Sequence, residues 1–172
     1  MTGAPAEFDL HIRDGRSEDL KEVDALMLRA YREFESSVSP EFAGSFLEDA
    51  RQVHSRLDET DLIVAERNAR LIGVVTLYTD GAKYGPGWPA DWSAIRLLGV
   101  DPEERGKGIG KALVTECLER ARKQGVGRVG LHTTPFMQAA QRMYESMGFR
   151  HEPSIDFEYG PDFPVKGYLI DL

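Results

Sequence analysis

The sequence predicts a single mixed α/β domain, residues 1–172, arranged around one sheet. Runs rich in Val, Ile and Leu at residues 61–66, 71–78, 94–100 and 128–132 have the length and composition of strands. Between and around them lie stretches whose apolar residues recur at helical spacing. A chain of 172 residues with 41% apolar content suits one compact core.

In chain order, residues 10–13 open the sheet. Ser17 then stands where a helix N-cap belongs, with Glu18 and Asp19 in the first turn. Leu20, Val23, Leu26 or Met27, and Ala30 or Tyr31 keep helical spacing, so the first helix runs to about Glu33 with one buried face. Pro40 begins a second helical stretch that reaches about Leu57. Residues 61–66 and 71–78, joined through Asn68, Ala69 and Arg70, read as an antiparallel hairpin. Residues 79–92 form the longest loop, where Gly81, Gly85, Pro86, Gly87 and Pro89 break regular structure and Tyr84, Trp88 and Trp92 interleave.

Residues 94–100 alternate little, as a strand covered on both faces does. The helix after Gly108 buries Gly110, Leu113, Val114, Cys117, Leu118 and Ala121 along one stripe, and Gly125 ends it. Residues 128–132 return as a strand, which makes a right-handed, parallel crossover. After Pro135 a helix covers residues 136–147 until Gly148 stops it. Residues 149–157 and 165–171 supply two closing strands.

Composition narrows the function. A net charge of −8 argues against nucleic acid as a partner and favours a cation such as an amine. No run approaches the roughly 18 apolar residues of a membrane span, so no membrane partner is expected. Residues 1–9 lack a basic-then-apolar leader pattern, and the lone Cys117 has no partner for an internal disulfide. Both point to a cytoplasmic location. His11, His54 and His151 have no acidic or thiol neighbour at a telling spacing, and no metal site is expected.

The densest signal is the run from Arg105 to Gly110, which joins the strand at 94–100 directly to the next helix. Glycines at alternate positions let the backbone curl so that successive N–H groups face one concavity. The first helical turn adds its unpaired donors and the positive end of its dipole. Such a concavity holds a phosphate or pyrophosphate. A Walker loop is excluded, because Lys111 is followed by Ala112 and not by a hydroxyl for magnesium. A dinucleotide fingerprint is excluded too, because the third glycine fails to appear at either Lys111 or Leu113.

Arg105 to Gly110 resembles the Arg/Gln-x-x-Gly-x-Gly/Ala signature of the GNAT superfamily of N-acetyltransferases, and the segment from Leu98 to Leu113 resembles that family's acetyl-CoA segment throughout. The segment from Ala140 through Tyr144 to Gly148 and Phe149 resembles the second signature, so the two together span residues 94–149. The resemblance implies a mixed, mostly antiparallel sheet flanked by helices, with central parallel strands that splay at the cofactor. It implies acetyl-CoA as co-substrate, with Leu98, Gly99 and Val100 beside the pantetheine arm. Arg105, Gly106, Lys107, Gly108, Ile109, Gly110 and Lys111 would hold the pyrophosphate. On spacing alone Tyr144 is a core aromatic among Ala140, Met143 and Met147; the resemblance makes it the general acid. One position departs: asparagine often stands seven residues before that tyrosine, and here it is Met137.

The implied activity is acetyl transfer to the primary amine of a small molecule. Acetylation of a protein N-terminus or lysine, and a non-catalytic acyl-CoA sensor, stand as alternatives; a homodimer is compatible with the resemblance. No glutamate lies on the cofactor strand, where Ser93, Ala94 and Arg96 stand, which leaves a water chain or His132 as base. An α-amine of pKa ~8 needs less help than a lysine of ~10.4. The tryptophan-bearing loop, residues 81–92, is expected beside the acceptor.

Overall fold

The computed structural model describes residues 10–51, 53–160 and 163–172. Residues 1–9, Gln52, Pro161 and Asp162 lie outside it, and with them the leader-pattern expectation. The elements are β1 (His11–Asp14), α1 (Leu20–Tyr31), α2 (Pro40–Arg51), β2 (Thr60–Arg67), β3 (Arg70–Tyr78), α3 (Gly81–Tyr84), β4 (Trp92–Val100), α4 (Ile109–Lys123), β5 (Arg128–Thr133), α5 (Gln138–Ser146), β6 (Arg150–His151), β7 (Phe157–Glu158) and β8 (Pro164–Asp171). The strand order is β1-β2-β3-β4-β5-β8-β6, with β7 beside β8. Every neighbouring pair is antiparallel except β4 and β5. This is the mixed α/β, mostly antiparallel architecture expected.

Local differences have local causes. Ser17 does not cap α1; it opens a 3-10 turn, and the Asp19 carboxylate accepts the Arg16 backbone N–H at 2.7 Å. That carboxylate also binds Arg13 on β1, which pulls the turn against the sheet. The hairpin turn is tighter than expected: Asn68 and Ala69 both take positive φ, at 51° and 58°, which suits the right-handed twist of β2 and β3. Residues 79–92 are not wholly irregular, since Asp80 caps the short α3 by accepting from the Ala82 N–H. Residues 149–157 divide into β6 and β7 around a 3-10 turn that starts at Pro153.

Two helical layers cover the sheet. Val23, Leu26 and Met27 of α1 pack on Val64, Leu71 and Val74. On the other face Ile109, Leu113, Cys117 and Ala121 of α4 meet Ile63, Val75, Leu77 and Ile95, with Tyr144 of α5 joining them. Ile109, not Gly110, supplies the first buried position of α4. Cys117 is fully buried, and burial drives its thiol pKa well above the ordinary range. Among the described residues no helix is long and apolar enough to cross a membrane.

A third cluster forms where the loop after β3 folds inward. Trp88 is 6% exposed and lies over Gly130 of β5, while Tyr78, Tyr84 and Trp92 surround it. The fit needs a bare glycine, because a Cβ at residue 130 would sit 2.4 Å from the indole. Gly130→Ala should therefore cost about 1–3 kcal/mol of stability through overpacking, read as a lower urea midpoint at unchanged slope.

Candidate active site

The centre of the sheet comes apart at one place. β4 and β5 pair only from Trp92 with Arg128 to Ile95 with Leu131. On its other side β4 stays joined to β3, but with a bulge: Val74 faces Gly99 and Thr76 faces Arg96, so Leu97 and Leu98 together oppose Val75. Leu97 accommodates the extra residue at φ 56°, a left-handed conformation uncommon outside glycine. The bulge bends β4 away from β5, and the gap widens from Arg96 onward.

A cavity of about 610 Å³ occupies that gap. Leu98, Gly99, Val100, Arg105, Gly106, Gly108, Ile109, Gly110 and Lys111 all line it, and Tyr31, Phe34, Phe136, Met137, Ala140 and Met143 complete its walls. Asp101 donates its N–H back to Ile72, so alternation along β4 turns the backbone groups of Val100 toward the gap. Tyr31 donates its hydroxyl to the Leu98 carbonyl at 2.8 Å, which seats a phenol at the split.

The glycine turn has the form its sequence predicts. Gly106 and Gly108 have φ of 74° and 80°, and no side chain caps α4. Ala112 donates the first bond of the helix, to the Gly108 carbonyl, which leaves the amides of Ile109, Gly110 and Lys111 as helix-end donors. At Gly110 a Cβ would stand 3.3 Å from the Met143 sulfur; the missing side chain lets α5 close on the turn. The Arg105 guanidinium turns to α1, where it donates to the Ala30 carbonyl at 2.8 Å and pairs with Glu33. Lys107 does not line the cavity; its ammonium pairs at 3.1 Å with Glu104, which does line it and also accepts from Arg67.

Tyr144 sits one layer below. It is 6% exposed, packs edge-on against Phe149 and does not itself form the cavity wall, although Ala140 and Met143 of the same helix do. Burial raises its pKa above the ordinary phenol value, and Tyr31, Cys117 and Tyr84 push it the same way. The phenol therefore keeps its proton throughout the neutral range. Met137, where a side-chain amide would have been a donor, gives the wall an apolar surface; its backbone N–H donates to the Thr134 carbonyl.

His132 is the first residue of β5 beyond the last pair with β4. Its Nε2 lies 2.7 Å from the Ile155 carbonyl, which can only accept, so Nε2 carries the proton and Nδ1 accepts from the Tyr84 hydroxyl at 2.6 Å. Tyr84, Trp88 and Phe157 enclose the ring. Burial lowers the His132 pKa below its usual 6.5. The loop at residues 81–92 lines neither the 610 Å³ cavity nor the smaller one beside it; it builds this enclosure instead. That inward folding was not legible from spacing, although three aromatics in twelve residues were its signal.

Comparison with known proteins agrees with this fold. Residues 23–149 match the model of the acetyltransferase (GNAT) family. A mycothiol acetyltransferase from Thermobispora bispora is 36% identical over 112 residues, which is 64% of this chain but only 37% of that protein. The chain thus spans little more than a third of that curated relative. Among solved structures, the PaiA N-acetyltransferase of Thermoplasma acidophilum, determined with coenzyme A, superposes with a TM-score of 0.72 at 19% identity, covering 92% of this chain and 98% of that one. An acetyltransferase from Staphylococcus aureus Mu50 gives 0.70 at 19% identity over 95% and 99%.

The neutral, enclosed His132 has a consequence for stability. Its folded pKa lies below 6.5, so between the two values the unfolded chain binds a proton that the folded chain does not. This contribution is complete above 6.5 and is lost as pH falls through it toward the folded value. Urea unfolding at about pH 5.5 should give a lower midpoint than at about pH 7.5, and His132→Gln should flatten that difference.

Proposed function

The chain belongs to the GNAT acetyltransferase family, and on that premise we propose that it transfers an acetyl group from acetyl-CoA to the primary amine of a small molecule, by direct attack within a ternary complex. The observation that carries this reading is the convergence of three parts on one cavity: strand backbone at Leu98 to Val100, the uncapped glycine turn at the start of α4, and the face of α5 that carries Ala140 and Met143. An extended pantetheine arm fits against strand backbone, and a pyrophosphate fits helix-end amides.

The amine nitrogen forms a bond to the thioester carbonyl carbon, and the carbon–sulfur bond then breaks. A backbone N–H on β4, that of Leu98, stabilises the developing oxyanion. In this reading Tyr144, behind the wall formed by Ala140 and Met143, is the acid at the departing thiolate. Its pKa stands above that of an alkyl thiol, near 8.5 for cysteine, so it shares its proton with the sulfur through a hydrogen bond. The proton lost by the amine completes the balance; in this reading a water chain carries it away, because His132 is enclosed by Tyr84, Trp88 and Phe157 and does not line the cavity.

Calorimetric titration with acetyl-CoA, with ATP and NAD as controls, should show saturable binding of acetyl-CoA alone. Thiol release should then depend on added amine; binding without release would identify a sensor instead. Tyr144→Phe should lower turnover by about 10²–10⁴-fold while leaving acetyl-CoA affinity nearly unchanged. Unchanged turnover across the pH range would remove Tyr144 from this role.

A further inference from the structure

Beside the cofactor cavity lies a second one of about 440 Å³, lined by Ser37, Pro135, Phe136, Phe163 and Pro164. Three separate segments build it: the 3-10 turn that follows α1, the link between β5 and α5, and the entry to β8. Phe136 is a wall of both cavities, so the two adjoin at that side chain.

The walls have a distinct chemistry. Phe136 lies with ring centroids 5.5 Å from Phe34 and 5.6 Å from Phe163, and Phe163 continues to Phe42 and Tyr159 at 6.3 and 6.0 Å. Among the described lining residues none is charged, and the Ser37 hydroxyl is the single polar side-chain group. Against these ring faces an aryl or branched alkyl group gains contacts that a small polar group does not. The volume falls within the roughly 300–1,000 Å³ of small-molecule sites.

We propose that this cavity seats the carbon body of the acceptor, and that the acceptor is a primary amine bearing an aryl or branched alkyl group. The proposal rests on the acetyl-transfer reading and specifies its substrate class. The net charge of −8 draws the ammonium toward the protein, and the aromatic walls select what is attached to it.

The test uses the full chain at saturating acetyl-CoA and follows thiol release with 2-phenylethylamine, isoamylamine, ethanolamine, putrescine and a tetrapeptide with a free N-terminus. The expected order places the first two above the rest, with kcat/KM at least about tenfold higher for 2-phenylethylamine than for ethanolamine. Phe163→Ala should shrink that ratio. Ser37→Asp, at an exposed position that tolerates the change, should lower 2-phenylethylamine turnover and raise putrescine turnover relative to it. Calorimetric affinity for acetyl-CoA should stay the same in both variants. A preference for ethanolamine, putrescine or the peptide, or a ratio that neither variant moves, overturns the assignment while leaving acetyl transfer intact. Failure to bind acetyl-CoA, or thiol release with no amine at all, overturns the transferase reading itself.

Discussion

A single backbone irregularity organises the molecule. Two residues of β4, Leu97 and Leu98, stand opposite one residue of β3, and the left-handed Leu97 carries the excess. A regular β4 would have continued its pairing with β5, and strand backbone would have been satisfied by strand backbone. The bulge instead leaves polar groups of β4 facing a gap at the centre of the sheet, where a ligand can replace the missing strand. Leu97 holds a conformation that costs free energy, and the packing on either side maintains it: Gly99 fits so closely beneath α1 that a Cβ would touch the Met27 sulfur.

The groups around the gap are held by polar ties rather than by the bulge alone. Asp101, whose side chain is 2% exposed, ends β4; it accepts from the Glu103 N–H and from the guanidinium groups of Arg29 and Arg70. Burial opposes the charge on Asp101, but the backbone N–H of Glu103 and the two arginines together hold its pKa below the ordinary carboxylate value. Arg105 adds a second tie between the glycine turn and the end of α1, and the Tyr31 hydroxyl a third between α1 and Leu98. The C-terminal end of α1 is thus a wall of the cavity and also the brace of its turn. Displacing α1 would disturb both.

Much of this was legible in the residues. The glycine spacing from Gly106 to Gly110 specified the turn, and the apolar stripe from Leu113 to Ala121 specified the helix that follows, because both are local and periodic. Nine of the ten residues assigned to the cofactor line one cavity; Lys107 does not, and its ammonium pairs with Glu104, which is bonded to Arg67, 37 residues earlier in the chain. The bulge was hidden for a related reason. Nothing about leucine favours positive φ, and the conformation of Leu97 is imposed by strands and helices distant in sequence. The inward folding of Trp88 was hidden because its complement is the absence of a side chain at Gly130. Tyr144 is buried in the core, as its spacing predicts, on the same helix as the wall residues Ala140 and Met143.

The burial of Cys117 bears on how this protein behaves toward thiol chemistry. It is the one cysteine in the chain, its side chain is enclosed by α4 and the sheet, and its raised pKa keeps it in the unreactive protonated form. A disulfide dye added to the folded protein therefore meets no reactive thiol belonging to it. Colour that develops in the presence of acetyl donor and amine belongs to liberated coenzyme A, and colour that develops without them reports opening of the core between α4 and β4.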